Sequence, residues 1–347
     1  MKKLIIYLFS FTFLYNCSND ETITIPVTVV NDNLFIGDVT LTSQAEVETF
    51  SAENYTGIVG ALIIGSPDEL TDITDISGLN TMDYVSRSIA ILNTNLISID
   101  GLININRPPE EDRFEALRIE NNPLLMNIDG LMNIVGNLNR VSIENNFSLT
   151  SISGLGGIFI SGFISIRDNP ALLSLNNVNF INPDNTPTGR SISIIGNNSL
   201  TSLAGLNLTP FMSSINIIDN ENLKSLDGLQ NLEALSFVLT IINNDSLEDL
   251  SALSGLNSQL FGFNLEENDA LTNLNGLENI ETFGDLEMGD LRVFIRNNKN
   301  LSDFCAVSDI PFEANGGPGF ADEFDISGNA FNPTLQADRT IGANCSL

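Results

Sequence analysis

Histidine and tryptophan are absent from all 347 residues, and only four tyrosines and three cysteines are present. Without His the chain lacks the commonest general base, triad member and metal ligand together. No Cys-x-x-Cys pair occurs, so neither a zinc ribbon nor a thioredoxin-type redox centre can form. No P-loop or G-x-G-x-x-G follows a strand pattern, and no cofactor is expected. Basic residues are scarce, 14 against 44 acidic, for a net charge of -30. A surface that negative repels phosphates and anionic headgroups, so nucleic acid is excluded as a partner. Its plain role is to keep a long repetitive chain soluble. Calcium would suit Asp and Asn oxygens, but no D-x-[DN]-x-[DN]-G loop is present and no metal site is assigned.

Long apolar runs are also missing, apart from Leu4 to Leu14 behind Lys2 and Lys3. That stretch is too short to span a bilayer and matches a secretory signal peptide over residues 1–16. Cys17 follows at once and resembles the lipidated Cys of a bacterial lipobox, although Tyr15 and Asn16 depart from its usual small residues. Ser18, Asn19, Asp20 and Glu21 resemble the acidic surface-export signal of Bacteroidota lipoproteins. An ordinary signal peptide ending near a Cys is the plainer alternative. If Cys17 carries lipid, Cys305 and Cys345 form an even pair, expected as one disulfide in an oxidising compartment. Residues 17–32 then read as a tether, with membrane contact through the lipid anchor alone.

What the chain has is repetition. Leu117, Ile119, Asn122, Leu125, Ile128, Gly130 and Leu131 return with the same spacing as Val141, Ile143, Asn146, Leu149, Ile152, Gly154 and Leu155. Further copies follow, such as Ile215, Ile217, Asn220, Leu223, Leu226, Gly228 and Leu229. Each aliphatic pair two residues apart reads as a short strand with both side chains inward. The Leu-x-x-Leu that follows has neither period and describes a chain turning a corner. Gly before the last Leu is expected to supply a left-handed backbone. Asn122, Asn146, Asn169, Asn197, Asn220, Asn244, Asn268 and Asn298 are expected to stack as a structural ladder satisfying buried backbone groups.

One such unit cannot bury its own apolar face, so the units must stack. The reading is a mainly β solenoid of about twelve turns, from Val39 to Phe324 and Ile326. It divides into an N-terminal cap and first turns (33–65), repeats (66–303) and a disulfide-tied C-terminal cap (304–347). Ser43-x-x-Glu46 reads as a capping box opening a short helix through Phe50. Insertions at 106–114, 181–190 and 281–291 read either as a recognition rim or as tolerated loops.

The motif I-x-I-x-x-N-x-x-L-x-x-L-x-G-L, from about Leu62 to Leu301, resembles the receptor L-domain family. The stretch TSQAEVETFSAENYTGIVGALII is similar to the opening of bacterial L-domain lipoproteins. The resemblance implies a right-handed single-stranded β-helix, akin to leucine-rich repeats, and a surface protein. Receptor relatives bind protein ligands, but no contact residue carries over.

Outward positions on the strands form the candidate binding face: Arg118, Glu120, Ser142, Glu144, Ser165 and Arg167, then an apolar stripe of Ile195, Ile218 and Ile242. The stripe is either a contact site or covered by loops. The expected function is non-catalytic binding or adhesion of a protein or glycan. The expected location is the outer membrane or cell surface of a Gram-negative bacterium, as a monomer. The alternative is a β-helical polysaccharide-active enzyme using carboxylates.

Overall fold

Inward aliphatic pairs make each copy of the repeat a strand, and the corner that follows returns the chain to begin the next strand beside it. In a computed structural model, which describes residues 33–106, 114–180, 189–284, 292–312, 323–337 and 340–342, these strands line up in chain order. The order runs Val39–Leu41, Leu62–Gly65, Ser88–Leu92, Phe114–Glu120, Gly136–Glu144 and Ile158–Arg167. It continues through Ser191–Ile195, Ser214–Ile218, Val238–Ile242, Gly262–Glu266, Arg292–Arg296 and Glu323–Ser327. Every neighbouring pair is parallel, within a 14-stranded sheet. The fold is mainly β, with this parallel sheet as its spine. Cys17, Cys345 and most of the three insertions lie outside the described residues, so the expected lipidation rests on sequence alone, and of the expected disulfide only Cys305, a bonded cysteine, is described.

Register is regular across the stack except for a one-residue shift between Leu138 and Arg140 against the next strand. Ile192 faces Ile215, which faces Leu239, which faces Phe263. These inward residues are fully buried, as are the repeat-position Leu and Ile of the corners, such as Leu125, Ile128, Leu223 and Leu226. Because strands lie about 4.8 Å apart, each unit's apolar face is sealed only by the next. Burying an aliphatic side chain contributes about 1.5–3 kcal/mol, and the contribution repeats along the whole stack.

Aromatic rings replace aliphatic layers at both ends. Phe35, Phe50 and Tyr55 pack at 5.0–5.9 Å beside the first strands. Phe263, Phe283, Phe312 and Phe324 form a column at 4.9–5.5 Å near the last ones. The single α-helix among the described residues, Gln44–Ala52, takes the first corner and packs on the 3-10 turn Ser77–Thr81. Ser43 caps it, accepting from the Glu46 amide. The Glu46 carboxylate departs from the expected box by accepting from the Thr42 amide at 2.6 Å, one residue earlier. Those bonds hold the Glu46 carboxyl below its ordinary range.

The corners correct one expectation. Gly101, Gly130 and Gly154 do not have positive φ. A Cβ on Gly130 would instead fall onto the Ile99 carbonyl of the preceding unit, and Gly101 and Gly154 meet the same obstacle. These glycines permit close approach of two backbones. Only in copies such as Gly205, Gly228 and Gly276 does a left-handed conformation add to that need.

The left-handed residue of the repeat lies elsewhere, immediately before each ladder position. Asn93, Asn121, Asn145, Asp168, Gly196, Asp219, Asn243, Glu267, Asn297 and Gly328 all have φ between 52° and 71°. Asn, Asp and Gly are the residues that tolerate this region, and Glu267 alone departs. The corner also uses Asp, Asn and Ser side chains that accept from the amide two residues on. Asp75, Asn127, Ser151 and Asp249 do this before the 3-10 turns at 77–81, 129–131, 153–155 and 251–253.

Candidate functional site

The asparagine ladder is fully buried and continuous. At Asn220, Oδ1 accepts from the Asn197 amide at 3.0 Å, and Nδ2 donates to the Ile194 and Ile218 carbonyls at 3.0 Å. The Asn220 amide and Nδ2 both reach Asn244 Oδ1, at 3.1 and 3.2 Å. At Asn122, Asn146, Asn169, Asn197, Asn244, Asn268 and Asn298 the backbone amide likewise donates to the Oδ1 of the next rung, and Nδ2 donates to a carbonyl of the preceding unit. Two ends were not read from the sequence. Thr94 donates its amide and hydroxyl to Asn122 Oδ1, and Asn329 continues the row to Asn332 Oδ1. With every amide engaged by its own chain, the ladder offers nothing to a ligand.

The outward face is therefore the candidate site, and the sheet register assembles it into lanes. One lane runs Glu120, Glu144, Arg167, Ile195, Ile218, Ile242, Glu266 and Arg296. The neighbouring lane runs Arg118, Ser142, Ser165, Ser193, Asn216, Thr240, Asn264 and Phe294. All nine sequence-selected face residues fall in these two lanes. They are not equally available, however. Ser142 and Ser165 are buried. Ile195, Ile218 and Ile242 are contiguous and half-buried, a low aliphatic strip between charged groups.

Arg118 grips Glu120 bidentately, at 2.9 and 2.7 Å. Burial pushes the Glu120 carboxyl up, but Arg118 and the Ser142 hydroxyl outweigh it and hold the group below its ordinary range. Glu120 in turn raises the Arg118 guanidinium. Ser142 Oγ donates to Glu144 Oε1 at 3.0 Å. Beyond the aliphatic strip, Arg296 binds Glu266 at 2.8 Å with its guanidinium 4.3 Å from the Phe294 ring centroid.

Glu120 and Glu144 face each other across paired strands, and a glycosidase would need one of two such carboxyls protonated and the other ionised. Arg118 holds Glu120 in the ionised form, which suits a nucleophile or base and not a general acid. Because its folded pKa is depressed, this carboxylate's contribution to stability is present at neutral pH. It is lost as pH falls below the ordinary Glu range. Urea midpoints measured from pH 7 down to pH 3 should fall more steeply for the native chain than for Glu120→Gln. Parallel curves would show that the pair contributes no pH-dependent stability.

Other concavities are shallow. A groove of about 450 Å³ between the helix and the turn at Ser77 is lined by Gln44, Val47, Glu48, Ser51, Asn80 and Thr81. A second, of about 350 Å³, is lined by Asp245, Glu267, Asp269 and Lys299, whose ammonium bonds to Asp269. Asp269, with help from Asp245 and Glu267, raises the Lys299 pKa. Among the described residues no group of three or more Cys, Asp or Glu is placed to hold a metal, and no helix is long and apolar enough to cross a membrane. No protein-family model matches the chain, and a search of curated proteins finds no match.

Proposed function

We propose that the protein is an exported lipoprotein whose twelve-strand stack is a right-handed, leucine-rich-repeat-like solenoid of the receptor L-domain type. Its function is non-catalytic binding of a protein or glycan at the cell surface. The observation that carries this reading is the outward lane from Glu120 to Arg296, in which charge and apolarity change from strand to strand while the inward lanes stay apolar. An outward lane required only for solubility has no need of an aliphatic strip bounded by ion pairs.

A glycan and host-protein array probed with the chain tests the reading. A specific hit should weaken about tenfold or more in an Arg167→Ser, Ile218→Thr double variant. Unchanged binding would remove the strand face from the proposal. Turnover on a polysaccharide panel that disappears in Glu144→Gln would overturn the non-catalytic reading. Anchoring through Cys17 predicts that Cys17→Ser moves the protein from the membrane fraction to the soluble one. An unchanged distribution would contradict the lipid anchor.

A further inference from the structure

The corner just beyond the asparagine ladder carries a feature that the strand-face reading does not use. Ile97, Leu124, Met126, Phe147 and Leu173 are each about half exposed or more, from 47% at Leu124 to 64% at Leu173. Backbone hydrogen bonds place them on successive units. The Met126 amide donates to Ile97 O, Thr150 to Met126 O, and Leu173 to Thr150 O, at 2.9–3.2 Å. Ser148 Oγ donates to Pro123 O, setting the Phe147 segment on the Leu124 segment. The five side chains thus share one patch.

The repeat supplies its own control. Continuing the Met126–Leu173 lane, the later units place Thr201, Lys224, Glu248 and Thr272 there, and continuing the Phe147 lane they place Asn198, Glu221, Asp245 and Asp269. Polar residues fold equally well at both positions, so stacking does not require the apolar ones. The same corner is therefore apolar over its first half and acidic over its second. On the units of Asn220, Asn244 and Asn268 it carries Asp219, Glu221, Asp245, Glu248, Glu267 and Asp269, against Lys224 and the Asp269-paired Lys299 of the next unit.

We infer that this corner docks a partner protein through an extended segment with apolar side chains followed by lysines or arginines. The apolar part lies on the Phe147 patch and the basic part along the Glu221–Asp269 lane. Charge complementarity selects this occupant over a second copy, because two chains of net charge -30 repel each other.

The test is fluorescence anisotropy with the full chain and two synthetic peptides. Both carry Leu and Phe in one half, and the other half is Lys in one and Glu in its control. The Lys peptide should bind, weaken as salt is raised, and bind about tenfold or more weakly to a Phe147→Asn, Leu173→Thr variant. Those substitutions use the residues that the unit of Asn197 holds at the same positions, Asn198 and Thr201, so the variant should keep its circular dichroism and melting temperature. The strand-face change Ile218→Thr should leave peptide binding unaltered, which separates this inference from the proposed strand-face function. Absence of Lys-peptide binding, equal binding of the Glu peptide, or full binding by a folded double variant would each overturn it. So would a dimer of the native chain, seen by sedimentation, that the double variant abolishes.

Discussion

Asn220→Ala is expected to cost about 3–5 kcal/mol, since each buried polar group left without a partner costs about 1–3 kcal/mol. The substitution strips the Asn197 amide of its acceptor and the Ile194 and Ile218 carbonyls of a donor. It also removes the Nδ2 bond to Asn244 Oδ1, so the damage reaches the units on both sides. Asn220→Asp separates hydrogen bonding from volume. The shape is kept and the Asn197 amide keeps its acceptor, yet a carboxylate would then face three oxygens at neutral pH. It should be at least as destabilising as Ala. At the end of the row, Asn329→Ala should cost less, because Asn329 is slightly exposed and water can replace part of what is lost. Urea unfolding, with amide exchange to locate the opened units, measures all three. Equal, small losses at Asn220 and Asn329 would mean that the ladder contributes little.

Gly130→Ala carries the second large effect. A methyl group there collides with the Ile99 carbonyl, and both atoms belong to backbone held in place by stacked units. Overpacking of that kind costs about 1–3 kcal/mol and occasionally more. The upper end is expected here because no side chain can rotate out of the way. Gly136→Ala is the natural comparison. Its φ is 140°, but a Cβ would meet nothing within 4 Å. Only backbone strain opposes that change, for a cost of about 1–3 kcal/mol. A melting temperature that falls no further for Gly130→Ala than for Gly136→Ala would show that the close approach is readily relaxed.

These two predictions concern residues that the sequence reading treated differently, and the contrast shows what was legible. Asn220 has one inward job that recurs at fixed offset from an aliphatic pair, so its role could be read from one chain. Gly130 recurs just as regularly, but its reason lies in the Ile99 carbonyl of another unit, which no local spacing reveals. The left-handed column from Asn93 to Gly328 was present in the sequence as Asn, Asp and Gly before each ladder position. Asn stands at several of these sites beside the more regular ladder Asn, and Glu267 breaks the pattern. Thr94 was missed because its hydroxyl does an amide's work with a different side chain. The strand face was legible from alternation alone. The Phe147 patch was not, because its members stand at unlike offsets and meet only when the units stack.

The ladder has one further consequence, in its direction. Every rung presents Oδ1 toward the preceding unit and N–H groups toward the following one, so its amide dipoles are aligned head to tail and polarise one another. A row of aligned dipoles has unlike ends. The leading end exposes an acceptor, which Thr94 meets with donors, and the trailing end exposes donors, which Asn332 meets with an oxygen. Shortening the chain from either side therefore creates opposite polar defects. A trimmed front needs a hydroxyl or amide, and a trimmed back needs a carbonyl or carboxylate.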